Sequence, residues 1–144
     1  MTEYVTNSFI ETVALAKKLA PELKRNCVIG FIGDLGAGKT AFTTGFVEGL
    51  GINAEVSSPT FAICNVYQGE TAKVYHFDMY RIETWDDLYT CGYYDSLDDN
   101  AYVLLEWSEN IFAALPDDAV IIKIEKLGEN DRRFTVMTKA EAEA

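Results

Sequence analysis

One glycine-rich motif restricts what this chain can fold into more than any other feature of its sequence. Residues 33–40 read Gly-Asp-Leu-Gly-Ala-Gly-Lys-Thr and match the pattern G-x-x-x-x-G-K-T of a phosphate-binding loop. The apolar run 27–32 precedes the motif and is typical of a buried strand. Residues 40–50 follow with the apolar spacing of a helix, and Gly51 lies where that helix should end. We therefore predict a strand, a phosphate-binding loop and a helix, in that order.

The residue types in this loop suit the phosphates of a nucleotide. Glycines allow backbone N–H groups to turn toward an anion, and the N-terminus of the following helix points its own N–H groups at the same place. Lys39 would supply positive charge to the β- and γ-phosphates, and Thr40 a hydroxyl ligand for Mg²⁺. The predicted phosphate-binding residues are Asp34, Leu35, Gly36, Ala37, Gly38, Lys39 and Thr40. The alternative is a plain glycine-rich turn between a strand and a helix.

A second apolar run ends in a carboxylate. Residues 101–107 read Ala-Tyr-Val-Leu-Leu-Glu-Trp, which predicts a buried strand with Glu106 at its carboxyl end. An acid at that end of a parallel strand beside a phosphate-binding loop is the Walker B arrangement. Glu106 would then bind Mg²⁺ or polarise the attacking water, whereas a purely structural carboxylate is the alternative. Trp107 would lie beside this site or in the core.

Two further strands are predicted at 61–67 and 73–79, joined by a turn as a hairpin. His76 and Asp78 share one face of the second strand because side chains alternate along a strand. His76 is the single histidine of the chain, and a packed or hydrogen-bonded structural role is favoured over that of a base. Asp78 could orient water or bind a metal through water; a capping role or a salt bridge to Arg81 is the structural alternative, and we favour the latter pair.

The segment 56–61, Val-Ser-Ser-Pro-Thr-Phe, has the composition of a loop. Loops that carry hydroxyls after the first helix of P-loop proteins often sense the γ-phosphate and Mg²⁺. A simple turn leading into a strand is an equally good interpretation of the pattern alone. The segment therefore adds Thr60 as a candidate without deciding its role.

The remaining pattern predicts helices and strands on both sides of these motifs. Ser8 to Glu11 form a capping box that opens an amphipathic helix ending near Pro21. Shorter helices are predicted at 84–90 and 108–115, and strands at 119–125 and 133–138. The tail 139–144 is expected to fray. Because the chain has 144 residues, we predict a single domain, 1–144.

The charge balance limits the kinds of partner that the chain can bind directly. The formal net charge is −11, and phosphate contacts dominate the affinity of proteins for nucleic acids. A chain this acidic is a poor candidate for binding DNA or RNA without a partner. A single nucleotide is a different case, because a local anion-binding loop and Mg²⁺ can hold it. Any role on a polynucleotide would more plausibly depend on a partner protein.

Cysteine use and hydropathy indicate a compartment. The three cysteines, Cys27, Cys64 and Cys91, are odd in number and widely spaced, which argues against a disulfide framework or a zinc site. No apolar run approaches the roughly 20 residues that a membrane span needs, and no signal peptide is expected at the N-terminus. These features predict a protein of the reducing cytoplasm with no membrane partner.

Several motifs stand together in an order that resembles a known family. The motifs are G-D-L-G-A-G-K-T (33–40), S-S-P-T-F (57–61), Y-H-F-D-M-Y-R (75–81), G-Y-Y-D (92–95) and L-L-E-W (104–107). Together they resemble the bacterial tRNA threonylcarbamoyladenosine biosynthesis ATPase family TsaE, formerly YjeE. The resemblance implies an α/β fold: a P-loop NTPase-like domain with a mixed, mainly parallel central sheet flanked by helices. It also implies Mg²⁺-dependent ATP hydrolysis that supports threonylcarbamoylation of adenosine 37 in tRNAs reading codons that begin with A.

The same resemblance implies roles for partners and residues. The family works with TsaB and TsaD, so tRNA would be met only through these partners. Lys39 and the loop amides would hold phosphates, and Thr40 with Glu106 would bind Mg²⁺. Asp78 and Thr60 would lie near the γ-phosphate, so the candidate catalytic residues are Lys39, Asp78 and Glu106. Two further residues align with positions that contact the nucleotide: Phe9 and Arg132. From the residues alone, a solvated surface charge is the simpler interpretation of Arg132.

Two rival functions share the phosphate-binding loop. A small-molecule kinase would need an acceptor site and an arginine-rich lid, yet the chain has only 12 lysines and arginines and its one arginine cluster is 132–133. A nucleotide-dependent binding module with little hydrolysis is the other rival. The presence of Asp78 and Glu106 favours hydrolysis over this module but does not establish it.

Overall fold

The computed structural model describes residues 1–33, 38–57 and 64–143. Within them, seven strands form one sheet: β1 (Thr2–Thr6), β2 (Val28–Gly33), β3 (Cys64–Gln68), β4 (Lys73–Asp78), β5 (Tyr102–Glu106), β6 (Val120–Lys126) and β7 (Arg132–Thr138). The α-helices are α1 (Phe9–Leu19), α2 (Lys39–Gly49), α3 (Trp85–Thr90), α4 (Tyr93–Leu97) and α5 (Lys139–Glu143). Short 3-10 helices cover Ala20–Glu22 and Ser108–Ala114.

The strand order is β1-β7-β6-β2-β5-β4-β3. The four central strands, β6, β2, β5 and β4, are parallel, and the outer strands β1, β7 and β3 pair antiparallel. The predicted mixed α/β sheet is confirmed, and its parallel part is confined to this centre. Because the carboxyl ends of parallel strands meet at one edge, β2, β5 and β4 deliver Gly33, Glu106 and Asp78 to the same edge of the sheet.

Two apolar layers cover the two faces of the sheet. On one face, α1 and α2 pack on alternate residues of the central strands, with Phe31, Phe42 and Leu104 fully buried. On the other face, α3, α4 and the 3-10 helix Ser108–Ala114 pack around Tyr93 and Leu105. Strand β5 is buried along its whole length, as expected for a central parallel strand covered on both faces. Each layer gains stability from the apolar area it removes from water.

The first helix begins as the sequence predicts. Ser8 Oγ accepts a hydrogen bond from the Glu11 backbone N–H at 3.1 Å, which satisfies one orphan donor of α1. The Glu11 carboxylate reaches back to the backbone N–H of Asn7 at 2.8 Å rather than to that of Ser8. The capping residues therefore bridge the junction between β1 and α1.

The structure differs from the sequence-based expectations in three places. Strand β1 was not predicted, and it forms because its residues pair antiparallel with β7 along the edge of the sheet. Helix α4 was not predicted either; Gly92, at φ +91°, stands at its start, and Tyr93 is fully buried in the core. The tail expected to fray forms α5 over 139–143, because Thr138 and Glu141 cap each other and Lys139 Nζ donates to the Leu115 carbonyl at 2.9 Å.

The remaining predicted elements are confirmed, with small shifts of their ends. Residues 61–63 lie outside the described part of the chain, so the predicted start of β3 is untested. Gly51, at φ +77°, follows the end of α2 as expected for a residue that closes a helix. Among the described helices, none has the length and apolar content that crossing a bilayer requires.

Candidate functional site

The turn from β2 into α2 has the backbone geometry that the glycine motif predicts. Gly33 ends β2 at φ +104°, and a Cβ there would lie 2.4 Å from the carbonyl oxygen of Ile124. Gly38, at φ +107°, is the residue from which α2 starts. Both positions require glycine because an L side chain is strained at these angles. The predicted loop residues Asp34, Leu35, Gly36 and Ala37 lie outside the described residues.

Helix α2 starts at the carboxyl edge of the sheet and runs back across it. Near its start, the Phe42 ring lies 5.6 Å from that of Phe31, close to the carboxyl end of β2. One turn later, Phe46 lies 5.5 Å from Tyr102, at the amino end of β5. The N-terminus of α2, with its unpaired N–H groups and positive dipole end, therefore faces the site edge.

Lys39, the first residue of α2, is almost fully buried, with 3% of its surface exposed. Its ammonium lies 5.2 Å from the centre of the Trp107 ring. No carboxylate among the described residues lies within 4.0 Å of it. Burial of an ammonium is costly unless an anion or strong acceptors compensate it. The position therefore favours an anionic ligand next to Lys39.

Trp107 is held in a left-handed backbone conformation, at φ +59°. Few aromatic residues adopt this region, and such strain concentrates at functional sites. The indole lies near Lys39, and its centre is 4.7 Å from that of the Tyr80 ring, with the two planes tilted by 49°. Of the two positions expected for Trp107, beside the site or in the core, the structure shows the first, with the ring also partly buried against the core.

Glu106 and His76 form a buried pair on neighbouring strands. The distance from Glu106 Oε2 to His76 Nε2 is 2.5 Å, and the two residues are 7% and 0% exposed. They come from β5 and β4, whose parallel register also sets Asp78 opposite Glu106. The interpretation of His76 as a hydrogen-bonded structural residue is confirmed. The sequence did not show its partner, because the two residues are 30 positions apart.

Asp78 lies half-buried at the end of β4, where its Oδ1 accepts the backbone N–H of Tyr80 at 3.0 Å. Within the described ranges no ion pair joins Asp78 to Arg81, so the favoured salt bridge is wrong; the bond to Tyr80 closes a turn, and no helix begins at Asp78. Its register position opposite Glu106 sets the two carboxylates at the same edge of the sheet. Thr60, the other residue predicted near the γ-phosphate, lies outside the described residues.

A cavity of about 260 Å³ lies beside the N-terminus of α2. It brings together four predicted nucleotide-contacting residues, Phe9, Gly38, Thr40 and Arg132, although they come from three separate parts of the chain. Phe9 is 61% exposed, which leaves its ring accessible for stacking on a planar group. The remaining lining residues were not predicted: Ser8, Thr12, Ala41 and Asn130. Of these four, only Asn130 had a sequence signal, because Glu-Asn-Asp at 129–131 is typical of a turn between two strands.

Arg132 has a structural role as well as a place in the cavity wall. Its Nη1 donates to the carbonyls of Gly128, Glu129 and Asp131, at 3.0, 3.2 and 2.9 Å. These bonds hold the turn between β6 and β7, so the simple expectation of a solvated surface charge is wrong for this residue. The neighbouring Arg133 pairs with Glu125 at 3.4 Å.

The oxygen donors at the site fit a hard cation that also binds phosphate. Thr40 and Glu106 offer a hydroxyl and a carboxylate, the donor types that Mg²⁺ prefers. No group of three or more His, Cys, Asp or Glu residues in the described part of the chain could hold a metal by itself. A Mg²⁺ ion here would therefore need nucleotide phosphates or water as further ligands, which is its usual mode of binding in such sites.

The cysteines take no part in this chemistry. All three are free thiols, which agrees with the expected absence of a disulfide framework. Burial raises the pKa of the Cys27 and Cys64 thiols to about 11, and it raises the pKa of Cys91 as well. Thiols of this kind are poor nucleophiles at neutral pH.

Comparison with known proteins gives a consistent result over nearly the whole chain. The family model described as "Threonylcarbamoyl adenosine biosynthesis protein TsaE" matches residues 6–134. The TsaE protein of Bacillus subtilis is 41% identical over 125 residues, which cover 87% of this chain and 78% of that protein. The TsaE protein of Treponema pallidum is 33% identical over 132 residues, covering 92% of this chain and 97% of that protein.

A solved structure has the same architecture. The crystal structure of Bacillus subtilis YdiB superposes with a TM-score of 0.78 at 33% identity, covering 98% of this chain and 87% of that chain. The family match spans most of the chain, and the resemblance inferred from the motifs is confirmed. The chain belongs to the TsaE family of threonylcarbamoyl adenosine biosynthesis proteins.

Proposed function

We propose that this protein is a Mg²⁺-dependent ATPase that acts in the cytoplasm with TsaB and TsaD. Its hydrolysis of ATP would support threonylcarbamoylation of adenosine 37 in tRNAs that read codons beginning with A. The place in threonylcarbamoyladenosine biosynthesis is supported by membership of the TsaE family. The ATPase activity is supported by the site itself.

The observation that carries the ATPase proposal is the buried ammonium of Lys39. It lies at a helix N-terminus, 3% exposed, with no carboxylate partner among the described residues. A helix N-terminus already favours an anion, and a buried lysine beside it adds a full positive charge. A nucleotide phosphate would satisfy both groups at once. A plain turn between strand and helix gives no reason to bury this lysine.

The neighbouring residues suggest how the chain would use that phosphate. Glu106 and Thr40 would hold Mg²⁺ against the phosphate oxygens, where the ion neutralises charge that develops during transfer. Asp78, at the same edge of the sheet, would orient the attacking water. Lys39 would stabilise charge on the transferred group. Phe9 and Arg132, in the adjoining cavity, would contact the nucleoside.

The net negative charge of the chain supports the proposal that partner proteins bind the tRNA. With a net charge of −11, the protein is unsuited to binding tRNA directly. A partner that carries tRNA and the acyl donor would remove that requirement. The chain would then contribute nucleotide-driven turnover, while the transfer of threonylcarbamoyl would take place on the partner complex.

The test is Mg²⁺·ATP hydrolysis by the purified protein, with and without TsaB and TsaD, with tRNA modification followed in parallel. We expect slow hydrolysis by the protein alone and faster hydrolysis with the partners. Lys39→Ala and Glu106→Ala should both abolish turnover. Lys24→Ala is the matched control, because that lysine side chain is 73% exposed and remote from the site.

The other functions predict different outcomes. Tight nucleotide binding with no hydrolysis in either condition would favour a binding module. Efficient phosphorylation of a free metabolite would favour a kinase. Unchanged rates in both alanine variants would show that the site has been assigned to the wrong residues.

A further inference from the structure

A line of hydrogen-bonding groups runs from Glu106 through the buried residues His76 and Tyr67 to the backbone of Ser57. Glu106 Oε2 contacts His76 Nε2 at 2.5 Å, and His76 Nδ1 lies 3.5 Å from the Tyr67 hydroxyl. The Tyr67 hydroxyl lies 3.0 Å from the carbonyl oxygen of Ser57. Four residues from three parts of the chain thus form one connected path.

The path requires one particular arrangement of donors and acceptors. A carboxylate oxygen only accepts, so His76 Nε2 carries the hydrogen that is shared with Glu106. A neutral ring with its hydrogen on Nε2 has an acceptor at Nδ1, which faces the Tyr67 hydroxyl. Tyr67 has a single hydrogen, so it cannot donate both to the Ser57 carbonyl at 3.0 Å and to His76 Nδ1 at 3.5 Å, and the path requires that it donate to Nδ1. The Ser57 backbone N–H donates to the same hydroxyl at 3.3 Å.

Burial makes this arrangement restrictive. His76 is fully buried and Tyr67 is 6% exposed, so bulk water cannot readily replace either partner. Their rings lie 6.1 Å apart and are fixed by the antiparallel pairing of β3 with β4. Asn65, on the same strand as Tyr67, also donates to the Ser57 carbonyl at 3.0 Å. Hydrogen-bonded groups in such surroundings hold one orientation and transmit displacement to their neighbours.

We propose that His76 is a positioning residue for Glu106, and that Tyr67 connects it to the backbone at Ser57. Ser57 is the residue at which the hydroxyl-bearing segment with Thr60 begins. His76 would hold one carboxylate oxygen of Glu106, so that the other oxygen faces the cation. This inference rests on the proposed function, because it assigns Glu106 to Mg²⁺.

The geometry also explains why a histidine is suited to this position. Groups that hydrogen-bond to a metal ligand fix its orientation, and their loss typically weakens metal binding by about 10- to 100-fold. Imidazole offers a donor on one side and an acceptor on the other. It can therefore link the Glu106 carboxylate to a tyrosine hydroxyl across one strand pair. An aliphatic residue would fill the same space without this link.

The first test needs no nucleotide or metal. Because the chain has a single histidine, ¹⁵N NMR of labelled protein reports its two ring nitrogens without overlap. We expect the tautomer with hydrogen on Nε2, and a shift of the Nδ1 resonance in Tyr67→Phe. Tyr75→Phe is the matched control on the neighbouring strand and should leave the resonance unchanged. The opposite tautomer, or no response to Tyr67→Phe, would overturn the path.

The second test compares two substitutions of His76. The amide of His76→Gln can still donate toward Glu106, whereas His76→Leu fills space without donating. We expect His76→Leu to weaken Mg²⁺ binding in the presence of ADP by about 10- to 100-fold in calorimetry, while metal-free ADP binding is unchanged. His76→Gln should restore most of the metal affinity. Equal loss in both variants, or in neither, would overturn the positioning role.

The two proposals fail in distinguishable ways. If the wild-type protein hydrolyses no ATP with or without partners, the proposed function fails, and the NMR result still decides whether the path exists. If it hydrolyses ATP but His76→Leu binds Mg²⁺·ADP normally, only the positioning role fails. Thermal unfolding of each variant in the absence of ligand separates these effects from loss of folding.

Discussion

The two ends of the parallel strands differ in the burial and pairing of their lysines. At the amino ends, Lys73 pairs with Asp99 at 2.7 Å, and Lys24 pairs with Asp118 at 3.3 Å, all on partly or largely exposed side chains. At the carboxyl ends, Lys39 is buried with no described carboxylate partner. Exposed pairs add little to stability, whereas an uncompensated buried charge reduces it.

The difference indicates what each end is for. The pairs at the amino ends are ordinary surface electrostatics, and water screens them. The burial of Lys39 at the carboxyl end is unfavourable for stability, which is common where a charge binds a ligand. Substitutions of charged residues at the carboxyl ends should therefore affect ligand binding more than folding. Those at the amino ends should affect only folding, and slightly.

The largest expected effect comes from Lys39→Met. We expect the free energy of unfolding without ligand to stay the same or rise, because a buried charge is replaced by an apolar chain of similar length. Mg²⁺·ADP at a hundred times its dissociation constant should stabilise the wild type by about 2.7 kcal/mol and the variant hardly at all. Urea unfolding with and without ligand measures both quantities. A variant that unfolds more easily without ligand would contradict the comparison.

A pair of glycines at opposite ends of the sheet gives the next effect. Gly51→Ala places a Cβ in open space at φ +77°, and should reduce stability by about 1–2 kcal/mol. Gly33→Ala adds a clash, because its Cβ would lie 2.4 Å from the Ile124 carbonyl oxygen, so we expect about 1–3 kcal/mol more. Chemical denaturation of the two variants measures the difference. Equal losses would show that backbone angle alone limits both positions.

The smallest expected effect is at Asp99. Hydrogen bonds from Lys73 and then from Tyr75 lower the pKa of its carboxyl below the ordinary value of 3.8. A carboxyl with a lowered pKa in the folded state adds stability above its unfolded pKa, and this is lost as the pH falls through the folded value. Asp99→Asn should therefore be slightly less stable than wild type at pH 7, and this difference should shrink as the pH falls below about 4 and vanish once the pH is below the lowered pKa of the folded state.

The control for this measurement is Asp98→Asn, which makes the same change in charge at a neighbouring exposed position. Its unfolding midpoint, measured over the same pH range, should not reproduce the pH-dependent difference. If both variants behaved alike, net charge rather than the Lys73–Asp99 pair would be responsible.

Sequence patterns predicted the elements whose signals are local. The glycine motif, the apolar run before it and the periodicity of α2 depend on residues close together, and all three are confirmed where the structure describes them. The carboxyl-end placement of Glu106 followed from the length of one apolar run. Strand β1 was not predicted, because it is an edge strand that forms by pairing with β7, near the other end of the chain.

The residues of the candidate site fall into the same two groups: those that local motifs identify, and those that only the fold brings together. Lys39, Thr40 and Glu106 could be named from motifs, because phosphate and metal chemistry restricts residue types at short spacing. The contact of His76 with Glu106 could not, since it depends on β4 and β5 being neighbours in the sheet. The supposed pair of Asp78 and Arg81 was wrong because closeness in sequence does not ensure that two side chains meet.

The sequence by itself determined that a glycine-rich turn, followed by a lysine, would stand between a buried strand and a helix, since glycine tolerates the positive φ angles of Gly33 and Gly38 without strain. Tertiary structure decided that this lysine would be buried and that His76 would hydrogen-bond to the Glu106 carboxylate. Those outcomes depend on strand order and register, which arise from packing of distant segments rather than from any local pattern.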